Sequence, residues 1–325
     1  MHSVVEAHAA EPDIVNCMRH ACLRSLMALL VSCSACRAWA DVIDVGPMRP
    51  LELPSQAAAI AKPGDTIRVA PGVYTDCAVW RASKLTIEGT GTGARIAGKS
   101  CAGKGIFIID GNDITVRNLT FAHAAVPDRN GAGIRAEGRN LTIENSRFID
   151  NENGILAANI ASGTIRILGS EFRRNGKCDP KCAHGIYVGM IGLLDIEHSR
   201  FLGQHVGHHV KSRALRTVLI GNDIADGPAG NSSYLVDVPN GGDLLVQDNT
   251  MEKGPHSEND DGISIGAEGV KNPTHELIIR GNNFVNDTGR PSIFVHNRTA
   301  TAAMLSGNDL HGVVAPLVGL GTVSP

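Results

Sequence analysis

Apolar and polar residues alternate in eight similar phrases along the chain. Each phrase has an aliphatic residue five positions before its last residue, and alternation at a spacing of two is typical of a β-strand with one buried face. Successive last residues are 23 to 33 positions apart. The phrases are ITVRNLTF, LTIENSRF, IRILGSEF, LDIEHSRF, TVLIGNDI, LLVQDNTM, LIIRGNNF and AMLSGNDL, which end at Phe121, Phe148, Phe172, Phe201, Ile224, Met251, Phe284 and Leu310.

Two further features recur with the phrases. A shorter apolar segment precedes each of the later phrases, as in NGILAAN, HGIYVGM and DGISIGA. A small polar residue that can bond a turn backbone, or its equivalent in the next repeat, stands two positions before the end of seven phrases. These residues are Ser146, Ser170, Ser199, Asn222, Asn249, Asn282 and Asn308.

One repeat of this size cannot bury its own apolar face, so strands of successive repeats must stack in parallel. The pattern predicts an all-β fold, a right-handed parallel β-helix of about nine to ten coils. A β-sandwich is the nearest alternative, but it would not keep one period and one turn chemistry. The segment at residues 54–61 is expected to form a short N-terminal capping helix, and the apolar VVAPLVGLG near the C-terminus is expected to close the last coil.

Outward positions of the later coils are unusually apolar. Because large exposed apolar patches are uncommon on monomers, we expect either the C-terminal tail or a second copy in a homo-oligomer to cover this outer stripe. The stripe consists of Val218, Ile220, Leu245, Ile278 and Met304.

The N-terminal segment carries features of an export signal. Met18 begins a basic start, followed by a short apolar run and a small-x-small site that ends at Ala40. We therefore expect residues 1–40 to be a signal peptide, with Met18 as the true start, and residues 41–325 to form a single domain. The run is too short for a membrane span. A lipoprotein cleavage box at Cys33 is the less favoured alternative to a periplasmic or secreted protein.

Four cysteines follow this segment, and their spacings favour disulfides over a zinc site. The local pairs are Cys77 with Cys101 and Cys178 with Cys182. The chain has a formal net charge of −3, so neither its total charge nor any basic run suggests nucleic acid as a partner.

The stretch GHHVKSRA, residues 207–214, concentrates positive charge in a predicted strand. If Val210 and Ser212 point inward, Lys211 and Arg213 point outward on one face. Neighbouring coils add candidates to the same groove. These are His184 and Tyr187 before the strand, Asp237 and Asn240 after it, His208 and His209 at its start, and Arg135 two coils back.

Such a groove suits a polymer of uronic acids. Arg213 would neutralise the sugar carboxylate, and Lys211 would abstract the adjacent proton, its proton affinity lowered by neighbouring cations. Tyr187 or His184 would protonate the leaving oxygen. The substrate-binding candidates are Arg135, His208, His209, Asp237 and Asn240.

The segment PGDTIRVAPGVYTD, with the coils after it, resembles the start of the pectate-lyase-like β-helix superfamily. The resemblance implies a secreted protein that cleaves, epimerises or binds polysaccharides. The Lys211 and Arg213 pair is similar to the catalytic pair of polysaccharide lyase family six. NDDGISIG, residues 259–266, resembles the paired-aspartate strand of polygalacturonase-type hydrolases.

The favoured hypothesis is a polysaccharide lyase or C5-epimerase with an acidic polysaccharide as partner. The alternatives are a glycoside hydrolase that uses Asp260 and Asp261 with Glu258 or Asp237, and a non-catalytic carbohydrate-binding solenoid whose outward charges only aid solubility. No cofactor is expected. Calcium at Asp260 and Asp261 is the one metal alternative.

Overall fold

Three parallel sheets wind into a right-handed β-helix of about eleven turns. The structure is a computed structural model, and it describes residues 40–179 and 182–325. The predicted fold class is confirmed. The predicted coil count was slightly low because residues 314–324 form strands that extend the stack by a further coil instead of closing it.

Most coils contribute one strand to each sheet, and strands are numbered in chain order. The first sheet contains β1 (Val42–Val45), β2 (Thr66–Val69), β5 (Thr86–Gly89), β8 (Ile114–Arg117), β11 (Leu141–Glu144), β14 (Ile160–Leu168), β17 (Ile191–Glu197), β20 (Arg216–Ile220), β23 (Asp243–Gln247), β26 (Leu277–Arg280), β29 (Ala303–Ser306) and β32 (Gly321–Ser324). The second contains β3 (Gly72–Tyr74), β6 (Ala94–Ala97), β9 (Thr120–Ala122), β12 (Arg147–Ile149), β15 (Glu171–Arg173), β18 (Arg200–Leu202), β21 (Asp223–Ala225), β24 (Thr250–Lys253), β27 (Asn283–Asn286) and β30 (Asp309–His311). The third contains β4 (Ala78–Trp80), β7 (Gly105–Ile109), β10 (Ala132–Ala136), β13 (Asn153–Ala157), β16 (Ile186–Val188), β19 (Val210–Ser212), β22 (Val236–Val238), β25 (Asp261–Ile265), β28 (Ser292–Asn297) and β31 (Val314–Gly319).

A short helix, α1 (Pro54–Ile60), packs beside the first coils, as predicted. Pro54 occupies its first turn, where the missing N–H is harmless. Ala57 is fully buried. The helix thus covers part of the apolar cross-section that the first coil would otherwise expose.

The core is a set of aligned rows, one residue from each coil. The last residues of the sequence phrases form one such row in the second sheet. Rings of Phe148, Phe172 and Phe201 stack with centroids 4.6 Å apart at each step. Offset or stacked aromatic pairs of this kind add about 0.5–1.5 kcal/mol beyond their area burial.

A ladder of buried polar side chains runs beside this row. The Asn249 amide donates to the carbonyl of Leu219 and to Oδ1 of Asn282 at 3.0 and 2.9 Å. Asn282 repeats the pattern toward Val246 and Asn308. Ser146, Ser170 and Ser199 extend the ladder into earlier coils, so the predicted bonding between stacked turns is confirmed.

The C-terminal tail does not cover the outer apolar stripe, because it continues the stack as β31 and β32. Val218, Ile220, Leu245 and Ile278 are half-buried by their neighbours in the first sheet, and Met304 is 49% exposed. The tail prediction was therefore wrong. Covering by a second copy of the chain stays a prediction.

Both predicted disulfides are present, Cys77–Cys101 and Cys178–Cys182. The predicted signal peptide, Met18 and Cys33 lie outside the described residues, apart from Ala40 at the predicted cleavage site. Among the described residues, no helix has the length and apolar character needed to cross a membrane.

Asn282 belongs to the buried ladder and its neighbour Asn283 does not, so alanine at the two positions should affect stability very differently. Asn282→Ala should lower the free energy of unfolding by about 2–4 kcal/mol, because buried partners in two coils lose their hydrogen bonds. Asn283→Ala, at an exposed position, should change it by less than about 0.5 kcal/mol. Urea denaturation measures both, and equal effects would contradict the ladder's role.

Candidate functional site

A cleft of about 430 Å³ opens where the second sheet turns into the third. Its lining comes from four consecutive coils and from the segment after β25. The lining residues are Cys182, His184, Tyr187, Gly207, His208, Lys211, Ser233, Glu258 and Glu268.

Strand register brings the central residues together. Tyr187 of β16 pairs with Lys211 of β19, and Lys211 pairs with Asp237 of β22. Val210 and Ser212 point inward and are fully buried, as expected. Side chains of one row in adjacent parallel strands are about 4.8 Å apart, so three distant parts of the sequence meet here.

Lys211 lies between two carboxylates rather than among cations. Its Nζ is 2.6 Å from Oε1 of Glu268 and 3.2 Å from Oδ2 of Asp237. The side chain is only 11% exposed. The expectation that cations crowd the Lys211 ammonium was therefore wrong, because it lies between two carboxylates.

Arg213 completes the same cluster. Its Nη2 donates to Oε2 of Glu268 at 2.5 Å, and its Nε donates to the hydroxyl oxygen of Tyr187 at 2.9 Å. A third nitrogen, Nη1, donates to Oδ1 of Asn240. The guanidinium carbon also lies 5.6 Å from the Tyr187 ring centroid, within reach of a cation–π contact.

Glu268, which the sequence did not single out, therefore bridges the two cations. Although burial alone would raise it, hydrogen bonds from Lys211 and Arg213 lower the pKa of Glu268 to about 2. The residue lies in the long connection between β25 and β26, residues 266–276, which reaches back over two coils. The Asn272 amide fixes this connection by donating to the carbonyls of Arg213 and Ala214.

His184 and His208 stack at the edge of the cleft with centroids 4.8 Å apart. The backbone N–H of His208 donates to Nδ1 of His184 at 3.0 Å, and that of Tyr234 donates to Nδ1 of His208 at 3.2 Å. Each neutral ring therefore carries its proton on Nε2. Burial, with the nearby charges of Lys211 and Arg213, lowers the pKa of His184 to about 3.

Burial likewise holds the pKa of His208 well below its usual value. His184 is thus a neutral hydrogen-bond donor near neutral pH. Gly207 permits the stack, since its φ is +64° and a Cβ there would lie 2.9 Å from Nδ1 of His184.

Asp237 has an outward position that the sequence left open. It is 2% exposed, and its Oδ1 has no hydrogen-bond partner within the described residues. Burial raises the pKa of Asp237 to about 6, and the charge of Lys211 offsets only part of this effect. Asp237 therefore lies behind Lys211 as a carboxylate that can take up a proton near neutral pH.

Two of the predicted binding residues lie away from the cleft. His209 is 1% exposed, and its Nε2 lies 2.9 Å from Oδ1 of the buried Asp226. Arg135 pairs with Glu137 in its own coil and lies three coils before Lys211, not two, about 14 Å along the axis. These residues do not contact the cluster around Lys211.

The candidate calcium ligands are engaged by cations. Asp260 pairs with Arg290 at 3.2 Å, and Asp261 pairs with Arg298 at 2.9 Å and His296 at 3.0 Å. This pairing argues against both calcium and the paired-aspartate hydrolase at these positions. In the part of the chain that the structure describes, no group of three or more His, Cys, Asp or Glu residues could hold a metal ion.

The histidine stack predicts how stability depends on pH. The unfolded chain takes up a proton on His184 as the pH falls below about 6.5, whereas the folded ring stays neutral until about pH 3. Stability is therefore lost as the pH falls from about 6.5 toward 3, by up to about 1.4 kcal/mol per unit for this ring. His184→Asn should remove that loss, about 2–3 kcal/mol between pH 6.5 and 4.5.

Asparagine is the matched replacement, because Oδ1 of Asn153 accepts the backbone N–H of His184 one coil earlier in the same way. His256→Asn, at an exposed position, serves as the control and should follow the wild type. Urea denaturation across this pH range tests the prediction. Parallel stability curves for His184→Asn and the wild type would contradict it.

Comparison with known proteins supports the architecture. The family described as a right handed beta helix region matches residues 72–189. No curated protein matches the sequence.

Solved structures share the fold at low identity. The chain is similar to pectate lyase Pel9A, with a TM-score of 0.54 and 13% identity over 88% of this chain and 78% of that one. It is similar to open reading frame 18 of Geobacillus virus E2, with a TM-score of 0.52 and 17% identity over 78% of this chain, which spans about half (52%) of the viral protein. An alginate lyase from Paenibacillus sp. str. FPU-7 matches with a TM-score of 0.45 and 16% identity over 85% of this chain and 99% of that one. The match to the pectate lyase, at a TM-score above 0.5, shows that the chain has the pectate-lyase-like right-handed parallel β-helix fold.

Proposed function

We propose that this protein is a secreted or periplasmic enzyme that acts on an acidic glycan, as a polysaccharide lyase or C5-epimerase. It does so by removing the proton next to a uronate carboxylate. One observation carries the proposal, namely that a carboxylate, that of Glu268, is held between Lys211 and Arg213 at 2.6 and 2.5 Å. A site that binds one carboxylate in this way suits another carried by a sugar.

The substrate carboxylate takes the place of the Glu268 carboxylate beside Arg213 and Asn240. The guanidinium then stabilises the second negative charge that develops on the carboxylate when the adjacent proton leaves. The planar guanidinium of Arg213 holds its N–H donors in a fixed fork. In a partly buried cleft it therefore binds a carboxylate more specifically than the mobile ammonium of a lysine would.

Lys211 is the base, and Asp237 prepares it. The ammonium passes a proton to Oδ2 of Asp237, which lies 3.2 Å away and whose pKa is raised by burial to about 6. The neutral amine of Lys211 then removes the proton next to the carboxylate, and the electron pair is delocalised into the carboxylate.

Tyr187 completes the reaction. Its oxygen accepts a hydrogen bond from Arg213 Nε, so its own proton is free to point into the cleft. In β-elimination the tyrosine donates this proton to the departing glycosidic oxygen while the carbon–oxygen bond breaks and a carbon–carbon double bond forms. If the carbanion is reprotonated on its opposite face before that bond breaks, the product is the C5 epimer.

Other observations accord with this chemistry without carrying it. A pectate lyase shares the fold, and the two disulfides suit an oxidising compartment. The neutral Nε2–H of His184 adds a hydrogen-bond donor at the edge of the cleft.

Substitutions in the cluster test the proposed roles. Lys211→Ala, Arg213→Ala and Tyr187→Phe should each lower turnover by about 10²–10⁴-fold, since each removes an acid, a base or the carboxylate anchor. The assay incubates the protein with pectate, alginate or glycosaminoglycans and follows the absorbance of unsaturated ends and the uronate stereochemistry.

Arg200→Ala is the control, because Arg200 is exposed on the second sheet, where it pairs with the half-buried Asp223. Circular dichroism checks that each variant is folded. Wild-type turnover in both Lys211→Ala and Arg213→Ala would overturn the assignment. New reducing ends without the absorbance would indicate hydrolysis instead.

Glu268 gives an independent test. Because its carboxylate competes with that of the substrate, Glu268→Gln should lower KM about three- to tenfold and leave kcat within about threefold. Steady-state kinetics on a uronate oligomer measures both constants. A collapse of kcat would instead identify Glu268 as a group that acts on the substrate.

A further inference from the structure

A second cavity, of about 330 Å³, opens at the same corner of the solenoid as the cleft, over earlier coils. It lies where the second sheet turns into the third. Its lining residues with ionisable side chains are His123, Arg129, Asp150, Glu152, Arg174, Lys177 and His205. The roles proposed above use none of them.

Glu152 is the unusual member of this lining. It is only 6% exposed, and its Oε2 accepts hydrogen bonds from the backbone N–H groups of Val126 and Gly131 at 3.0 and 2.8 Å. Its Oε1 is buried and has no hydrogen-bond partner among residues 40–179 and 182–325. The nearest cation, Nη1 of Arg129, is 3.8 Å away. A buried carboxylate oxygen without a partner is costly, and a ligand hydroxyl would satisfy it.

One cation of this lining has no carboxylate partner within the described residues. Arg174 and Asp150 neutralise each other through two hydrogen bonds of 2.8 Å. Arg129 also lies 4.0 Å from a second carboxylate, that of Asp179, whereas Lys177 lines the cavity and forms no ion pair within the described residues. The lining therefore offers an acceptor for a hydroxyl and a cation for an acid group, the two functions that every residue of a uronate polymer carries.

The two cavities are neighbours along the solenoid. Lys177 lines the second cavity, and Cys182 lines the cleft on the far side of the loop closed by the Cys178–Cys182 disulfide. In the next coil, His205 lines the second cavity and Gly207 lines the cleft. The strand that follows Glu152 lies two coils before that of Lys211, about 10 Å along the axis.

We propose that the second cavity is a distal subsite for the same acidic glycan chain that the cleft binds. Glu152 Oε1 accepts a sugar hydroxyl there, and Lys177 faces a uronate carboxylate. The chain runs along the corner, past the disulfide loop and parallel to the solenoid axis. This inference rests on the proposed function only for the identity of the glycan.

Binding as a function of chain length tests the subsite. Calorimetry uses size-fractionated oligouronates from pectate and from alginate, with Tyr187→Phe protein so that the ligand is not consumed. Lys177→Glu in this background should weaken binding of long oligomers about tenfold and of dimers less than about twofold, because only a long chain reaches both cavities. Glu152→Gln should show the same length dependence, since it places an amide donor where the hydroxyl would donate.

Lys62→Glu is the matched control, because Lys62 is exposed before β2 and lines neither cavity, and it should weaken long and short oligomers equally and slightly. Lys177 is exposed, so its substitution should leave the fold unchanged. An effect of Lys177→Glu that is absent, or the same at every length, would overturn the subsite. If the wild-type protein turns over the glycan but Lys177→Glu has no length-dependent effect on binding, the subsite alone is wrong. If the effect on binding depends on length but the wild-type protein shows no turnover, the enzymatic proposal alone is wrong.

Discussion

Parallel hydrogen bonding between successive coils, kept in constant register, is the constraint on which the candidate site depends. It places residues 187, 211 and 237 side by side although each belongs to a different repeat. The buried serine and asparagine ladder holds that register from inside the turns, because each side chain bonds the backbone of an adjacent coil. If the register shifted by one residue, the side chains of residues 187, 211 and 237 would point into the core, and the neighbouring valines would point into the cleft.

The sequence predicted the parts of the molecule that repeat. Aligned phenylalanines, stacked asparagines and the outward direction of Lys211 follow from a strand period of two and a coil period near 27, and these hold in the structure. Both disulfides also follow from local spacing. Periodicity fixes the neighbours of a residue wherever the chain is in a strand.

Turns and long connections do not repeat, so the sequence did not predict the contacts made by residues that lie in them. His209 lies at the end of a turn, where strand alternation does not yet apply, and it faces the buried Asp226. Glu268 reaches Lys211 from 57 positions away through a connection whose path no repeat determines. The length of that connection was the available signal, since a long excursion after one strand of a solenoid must pack somewhere. The second cavity was missed for a similar reason, because turns of unequal length build it.

The cluster around Lys211 contributes little to holding the fold together. The Lys211 ammonium and the Asp237 carboxylate form a buried ion pair where an aliphatic row would have packed at lower cost. Buried ion pairs seldom stabilise a fold more than apolar packing does. Asp237 keeps one oxygen without a partner. Arrangements that depart from the rules obeyed elsewhere in a chain are typical of functional positions.

The reach of Glu268 across two coils has a consequence for biosynthesis. A solenoid gains structure one repeat at a time, and during synthesis the earlier repeats emerge first. The Lys211 strand can add to the stack well before residue 268 has been translated. A nascent chain therefore passes through a stage in which the ammonium and guanidinium face solvent without their bridging carboxylate. The cleft acquires its final charge distribution only after the connection of residues 266–276 has packed over it.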